Sequence, residues 1–404
     1  MQTQTKIAIS PKFRKIERNN LILDEIDKAL EVSMYYGFTP IKRPIVSRSD
    51  LESTKSFENQ ICNKKIDDDL ERCHRLDNKV GILRSYVEGN FKSLPHPLML
   101  SFRDKQRSTD ANTLLNLSII GTQSSIAEAV AIKTSLAILS EQNYKDLSVE
   151  VNSIGDRDSF SKFEKEIMCH VKKSFDSIPK HLSGPVKKNF KQVLEEYSKE
   201  ETSNELWASA PKPTSYLNSN SIKHFQEVLQ FLENLEIPYN LNHFLIPDKD
   251  FCHHTVFQIR NSGVLVALGV RHQNVVKKLS LRKEIPFLTV ALRDGLCLSR
   301  KIKIQKIKPK FFLVQFGNKA KIKSLIVIEQ LRKVGIPIYH LLTKDKLVGQ
   351  LSMAESLNFS YLILIGEKEA VENSVVVRNI DTRVQETVPI PDLTKYLSKI
   401  KLKD

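Results

Sequence analysis

The last hundred residues alternate short apolar runs with helical patterns, and this alternation constrains the fold more than any other feature of the chain. The apolar runs have the length of buried strands, and Gly335 stands where a helix commonly ends. The predicted strands and helices are, in order, 311–316, 320–334, 336–342, 344–357, 361–366, 375–378 and 387–390. Strands that alternate with helices of about 10–15 residues predict a compact α/β unit.

The composition is that of a soluble globular protein with room for two or three domains. Hydrophobic residues make up 41% and charged residues 27% of the 404 positions. No run of about 18 apolar residues occurs, and the polar, basic N-terminus lacks an apolar segment. We therefore expect no membrane partner and no secretory signal. The five cysteines form no CxxC pair, which predicts reduced thiols, no metal site and a cytoplasmic protein.

Positive charge is concentrated near the end of the chain. Residues 301–404 hold 19 Lys and Arg against 10 Asp and Glu, so they carry +9 of the formal net charge of +15. A basic linker contributes five of these lysines: Lys301, Lys303, Lys306, Lys308 and Lys310. On an extended strand alternate side chains share one side, where they would follow a phosphate backbone. The asymmetry predicts a polyanionic partner, although a generally lysine-rich composition explains it equally well.

Three parts of the chain follow from these patterns. We predict a core over residues 1–300, a basic linker over 301–308 and an α/β domain over 309–404. Within the core, residues of about 157–210 are rich in Lys and Glu and carry an apolar helical face, which predicts a helical insertion. A plain helical connector is the alternative for that segment.

Short motifs follow one another in the core. A helix predicted over 17–36 ends at Gly37, which opens the sequence GFTPIKRP. Phe102 and Arg103 close an apolar, strand-like run. The sequence NSIGD at 152–156 follows a helix and a strand, and Gly155 gives its loop the freedom to take a positive φ.

In this order the motifs resemble those of the histidyl-tRNA synthetases, which are class II aminoacyl-tRNA synthetases. The sequence LILIGEKE at 362–369 and the sequence QETVP at 385–389 resemble the anticodon-binding domain of the same family. The resemblance implies an α/β (α+β) fold with a class II antiparallel-sheet core and a C-terminal α/β anticodon-binding-like domain. It also implies a homodimer through the helix–strand element at 23–45.

The histidine pocket of the family corresponds to residues 245–257 and 268–279, and the chain departs from the family there. Where the family has RGLDYY, this chain has PDKDFC, so Pro247 replaces an arginine while Asp250 is retained. Where the family has GGRYD, this chain has GVRHQ, and Arg271 is retained. The resemblance assigns histidine binding to Asp250 and Arg271.

The nucleotide-binding motifs also depart from the family. The resemblance assigns Arg103 to the ATP α-phosphate, but the loop that follows it is shorter than in the family. The arginine that defines motif 3 falls at Leu296, unless a shift of one turn lets Arg293 or Arg300 replace it. Losing one cation or donor at a developing charge typically costs about a hundred- to a thousandfold in rate. The losses at Pro247 and Leu296 therefore predict a protein without aminoacylation activity.

We thus expect a histidyl-tRNA synthetase-like paralogue that binds tRNA or another RNA, or regulates a protein partner, and needs no cofactor. Three alternatives remain open. One is a divergent, active histidine–tRNA ligase, which would use ATP and magnesium. Another is a regulatory subunit of ATP phosphoribosyltransferase. The third is a stress sensor or polymerase accessory subunit built on such a core.

Overall fold

The computed structural model describes most of the chain in two compact units. The first unit comprises Met1–Lys145 with Val290–Asp404, and the second comprises Asp146–Thr289. The described residues are 6–8, 23, 25–44, 76–88, 91, 96–105, 113–173, 205–247, 252–272, 285–294, 302–303, 305–307 and 309–400.

One large sheet forms the core. Its strands are β3 (Thr39–Pro40), β4 (Leu98–Lys105), β5 (Thr113–Ile120), β6 (Leu147–Ser153), β7 (Tyr239–Leu241), β8 (Cys252–Asn261), β9 (Val264–His272) and β10 (Phe287–Asp294), in the order β3-β4-β5-β10-β9-β8-β6-β7. The pairs β4–β5, β6–β8 and β8–β9 are antiparallel. The edge pairs β3–β4 and β6–β7 are parallel, so the predicted antiparallel sheet is in fact mixed.

Helices accompany this sheet. They are α1 (Lys28–Tyr35), α2 (Leu76–Val87), α3 (Ile126–Glu141), α4 (Arg157–Lys173), α5 (Glu205–Ala208) and α6 (Ser219–Asn234). In the second unit α4 buries Phe160, Phe163 and Ile167 together with Trp207. This face recurs every three to four residues, which places the aromatic side chains on one side of the helix.

Helix α1 is shorter than predicted. It begins after Asp27, whose Oδ1 accepts a hydrogen bond from the backbone N–H of Leu30 at 3.0 Å. It ends before Gly37, which has a φ of +91°. The predicted helix over 17–36 is wrong at residues 25–26, which form strand β2 (Glu25–Ile26). The reason is tertiary: β2 pairs antiparallel with strand β11 (Ile302–Lys303), and the Asp27 cap sets the start of the helix.

The C-terminal domain confirms the predicted α/β alternation. Its elements are β13 (Phe311–Gln315), α7 (Asn318–Lys333), β14 (Ile338–His340), α8 (Leu347–Ser356), β15 (Tyr361–Ile365), α9 (Glu367–Val371), β16 (Ser374–Asn379), β17 (Gln385–Pro389) and α10 (Leu393–Lys399). The sheet order is β14-β13-β15-β16-β17, with the first three strands parallel and the last two antiparallel. The predicted α/β (α+β) fold, a core sheet and a second α/β sheet, is confirmed.

The linker contributes two short strands. Besides β11, strand β12 (Gln305–Ile307) pairs in parallel with β1 (Lys6–Ala8) near the start of the chain. None of the helices in the described part of the chain is long and apolar enough to cross a membrane.

Candidate functional site

The predicted histidine pocket lies only partly within the described residues. Asp250 and Leu296 lie outside them. Pro247 follows β7 and is half-buried, and Arg271 is buried as the penultimate residue of β9. Arg293, the suggested substitute in motif 3, lies near the end of β10 and is half-buried, while Arg300 lies outside the described residues.

Three buried side chains meet at neighbouring strand ends beside Arg271. Cys252 begins β8, His272 ends β9 and is its Cα partner, and Thr289 lies in β10. The His272 Nε2 is 2.9 Å from the Thr289 Oγ1, and its Nδ1 is 3.8 Å from the Cys252 Sγ. Each ring nitrogen of His272 therefore has a polar neighbour, and the tautomer sets which nitrogen donates. These groups satisfy one another inside the second unit, where the ring also packs against Phe287 at 5.6 Å between centroids.

Arg103, the arginine assigned to ATP, is engaged with its own chain. Its Nε donates to the Oδ2 of Asp27 at 2.6 Å. The other carboxylate oxygen of Asp27 caps helix α1, so one carboxylate joins the helix start to strand β4. A second bond, from the Ser33 Oγ to the Ser101 Oγ at 2.9 Å, joins the same two elements. A carboxylate thus stands beside the guanidinium where the resemblance expects a phosphate.

The NSIGD loop has a structural function. Gly155 takes a φ of +66°, and Asp156 accepts hydrogen bonds from the backbone of Ser159 at 2.9 Å and from the Asn218 Nδ2 at 2.5 Å. Burial alone would raise the pKa of Asp156, but these bonds stabilise the carboxylate and lower that pKa. Because Asn218 also caps α6 at Ser221, the loop fixes the starts of α4 and α6 together.

A second candidate site lies where the three parallel strands of the C-terminal sheet end, which we call the carboxyl edge. Ligands of open α/β sheets commonly bind there, where successive connections turn to opposite sides. In this sheet β14 lies on one side of β13 and β15 on the other. The carboxyl edge consists of residues 316–319 after β13, 341–348 after β14 and 366–368 after β15.

Two buried glutamines hold the loops of the carboxyl edge. The Gln315 Nε2 donates to the carbonyls of Leu342 and Lys344 at 3.2 and 3.1 Å. The Gln350 Nε2 donates to the carbonyls of Gln315 and Lys344 at 2.8 and 3.0 Å. The Gln350 Oε1 accepts from the backbone N–H of Gln315 at 3.1 Å. Because both amides are fixed by several partners, the loop after β14 is held in place relative to β13.

The surface of the carboxyl edge combines apolar and cationic side chains. Phe316 is 56%, Leu347 37% and Val348 75% exposed. Lys319 and Lys346 are exposed on the flanking segments. Exposed rings stack on unpaired bases and lysines contact phosphates, so this surface has the chemistry of a single-stranded RNA site.

Acidic groups at the carboxyl edge are engaged locally. Asp345 is ion-paired with Lys321. The Glu367 carboxylate lies against Gly317, where a φ of +98° and this contact both exclude a side chain.

The structure describes the backbone of three of the five predicted linker lysines. Lys303 in β11 has Glu25 as its Cα partner, and Lys306 in β12 has Ile7. Lys310 is half-buried immediately before β13. Lys301 and Lys308 lie outside the described residues. The strand conformation of the linker is confirmed at 302–303 and 305–307, and its contact with RNA stays a prediction.

Comparison with known proteins shows similarity along nearly the whole sequence. Residues 310–400 match the family described as the anticodon binding domain. The histidine–tRNA ligase of Staphylococcus carnosus is 26% identical over 420 residues, which cover 98% of this chain and 96% of that protein. The ligase of Thermosipho melanesiensis is 26% identical over 385 residues, which cover 88% and 90%. Over nearly its whole length this chain is therefore histidyl-tRNA synthetase-like. The resemblance drawn from the motifs is confirmed, whereas the loss of catalysis stays a prediction.

A solved structure of an apo histidyl-tRNA synthetase from S. aureus covers 99% of each chain, at 19% identity and a TM-score of 0.48. Within this histidyl-tRNA synthetase-like chain, two features escaped the sequence analysis. The carboxyl edge had a signal, since Phe316 follows a buried strand and precedes a glycine and a lysine-bearing helix. No sequence signal indicates the partner of Arg103, because Asp27 lies 76 positions away in the chain.

Proposed function

We propose that this histidyl-tRNA synthetase-like chain binds tRNA or another RNA through its C-terminal domain and does not activate histidine. One observation carries the RNA-binding part. Phe316, Lys319 and Lys346 are all exposed on segments of the carboxyl edge, in a domain that matches the anticodon binding domain family. The linker lysines would extend the contact along the RNA backbone. A role on tRNA belongs in the cytoplasm, where the cysteine pattern also leads us to expect the protein.

Binding to fluorescent total tRNA at low and moderate salt tests this part. Changing Lys319 and Lys346 together to Gln should weaken binding and reduce the log–log salt slope by roughly 0.7 to 0.9 for each phosphate that the lysines neutralise in the parent. Phe316→Ala should weaken binding about fivefold to a hundredfold, the equivalent of one stacked base, and leave the salt slope unchanged.

A matched control lies on the same helix. Lys333 ends α7, about 21 Å from Lys319 at 1.5 Å per residue, and its side chain is 68% exposed. Its ion pair with Glu329 is 3.8 Å long, and such an exposed pair contributes little. Lys333→Gln should leave both affinity and salt slope unchanged. If all of the lysine changes act alike, the RNA contact is diffuse and does not centre on the carboxyl edge.

Changing the five linker lysines to Gln tests their contribution to RNA binding in the same assay.

Two observations support the absence of histidine activation. Arg103 is ion-paired with Asp27, and Pro247 carries no charge where the family has an arginine. In-line attack on ATP requires cations where charge develops, and a phosphate at Arg103 would have to displace a carboxylate that also caps a helix. Histidine-dependent exchange of pyrophosphate into ATP, with magnesium, should therefore stay at the background rate. Exchange at a rate typical of synthetases would instead identify an active histidine–tRNA ligase.

A homodimer through residues 23–45 completes the proposal, as the family resemblance implies. Within the described part of that element, Lys28, Lys42 and Arg43 are exposed, while all residues of α1 after Lys28 are buried within one chain. Lys42→Glu with Arg43→Glu should therefore weaken a dimer built on this element. Light scattering of the parent at micromolar concentration should give twice the mass of one chain, and a monomer would exclude the dimer.

A further inference from the structure

Side chains from opposite ends of the sequence form a buried ionic network within the first unit. Tyr36, at the end of α1, is fully buried, and its hydroxyl donates to the Oε2 of Glu329 in α7 at 2.6 Å. Glu329 lies 293 residues further along the chain. The contact therefore joins the N-terminal part of the core to the C-terminal domain.

Arg332 extends the network to a third helix. Its Nε and Nη2 donate to the two carboxylate oxygens of Glu329 at 2.8 and 2.9 Å. Its Nη1 donates to Glu141, the last residue of α3, at 2.6 Å. The Arg332 side chain is only 8% exposed. The two-pronged bond to Glu329 lies within α7 and orients the guanidinium, and the single bond from its Nη1 to Glu141 links α7 to α3.

A second contact lies next to the network. His340, at the end of β14, is buried and donates from its Nε2 to the carbonyl oxygen of Tyr35 at 2.9 Å. Its ring lies against Gly37, where a Cβ would approach within 3.0 Å of the ring. The domain thus satisfies a carbonyl at the end of α1 and packs against the turn that follows the helix.

The hydroxyl of Tyr36 and the carboxylate of Glu329 depend on each other, which makes the network cooperative. Burial raises the pKa of the Tyr36 hydroxyl, and Glu329 raises it further, so Tyr36 stays a donor. Burial would raise the pKa of Glu329, but the bonds from Arg332 and Tyr36 lower it, so Glu329 stays charged. Removing either group leaves a buried partner unsatisfied, which is more disruptive than removing both.

We propose that Tyr36, Glu141, Glu329 and Arg332, together with His340, form a clamp that holds the C-terminal domain in one fixed position on α1 and α3. The clamp fixes the orientation in which the domain presents its carboxyl edge. It also keeps α1 covered by α7. A few side chains therefore hold the C-terminal domain in place. The domain can detach from α1 and α3 without itself unfolding.

Hydrogen exchange of the full-length chain, followed by mass spectrometry, tests the clamp. Glu329→Gln keeps the shape of the side chain and removes the charge that holds Arg332. We expect amides of α1 and α7 to exchange about ten- to hundredfold faster, as the loss of a buried charged hydrogen bond predicts. Amides of β13 and β15 should keep the exchange rates of the parent, and the radius of gyration by X-ray scattering should increase.

Glu372→Gln is the matched control. Glu372 lies in the same domain, and its ion pair with Lys368 is on the surface, so this change should alter nothing. The double variant Tyr36→Phe with Glu329→Gln should accelerate exchange by less than the product of the two single effects. The clamp is refuted if α1 exchanges in Glu329→Gln as it does in the parent. It is equally refuted if β13 and β15 accelerate as much as α1, because the network would then support only the fold of the domain.

Discussion

The burial of His340 predicts a dependence of local stability on pH. Burial lowers the pKa of this imidazole from an ordinary 6.5 to about 4, and the bond to the Tyr35 carbonyl opposes the shift only in part. Because the folded-state pKa lies below the unfolded value, the unfolded chain binds more protons between pH 4 and 6.5. The stability is therefore full above about pH 6.5 and decreases as the pH falls towards 4.

The magnitude follows from the two pKa values. With 6.5 unfolded and about 4 folded, the free energy of opening should fall by about 2 kcal/mol between pH 7 and pH 5. This corresponds to about a thirtyfold loss of hydrogen-exchange protection in β14 and at the end of α1, after correction for the intrinsic pH dependence of exchange.

Two variants isolate this effect. His340→Gln keeps a donor for the Tyr35 carbonyl, and His340→Phe keeps a ring against Gly37, but neither residue titrates in this range. Both should lower protection at pH 7 through altered packing, and both should lack the thirtyfold fall. Trp207, the single tryptophan, lies in the other unit and supplies a fluorescence control that the variants should not change. An equal fall in the parent and both variants would refute the assignment to His340.

Three substitutions in the second unit test how its sheet and helices are fixed. Gly155→Ala should destabilise the unit by more than about 2 kcal/mol in urea titrations followed by fluorescence, because the positive φ and close neighbours both oppose a Cβ. Asn218→Ala should cost about 1 kcal/mol in the same assay, since Ser221 loses its cap. Gly269→Ala should cost about 1–3 kcal/mol, because a Cβ would collide with the ring of Phe257; a neutral effect would show that the ring has room to move.

The fold was predictable where the chain carries local signals. The C-terminal strands were recognisable by their length and apolarity, and Gly335 marked a helix end that the structure confirms. The start of α1 was predicted too early because residues 25–26 pair with a linker strand more than 270 positions away. Sequence periodicity contains no information about such a partner. The clamp was invisible for the same reason, since Tyr36 and Glu329 are ordinary residues of two separate helices.

In the candidate site, too, residue types could be recognised in the sequence, whereas contacts between distant residues could not. Residue types could be compared with a family, which singled out Arg103 and Arg271 as predictions, but the contacts around these residues could not be predicted. Cys252 and His272 look like unrelated substitutions in the sequence. In the structure they are Cα partners whose side chains lie in contact. A pattern read one residue at a time cannot show that two residues of separate strands are neighbours.

Arg103 shows why a retained motif residue is weak support for a retained activity. Its guanidinium is bonded to Asp27, Asp27 caps α1, and the other end of α1 bonds to the C-terminal domain through Tyr36. Selection for a stable docked chain would keep this arginine even if ATP never binds. Loss of a function after Arg103→Ala would therefore not identify a catalytic group by itself. The same loss after Asp27→Asn, which keeps a cap for α1 but removes the charge beside Arg103, would assign the effect to structure.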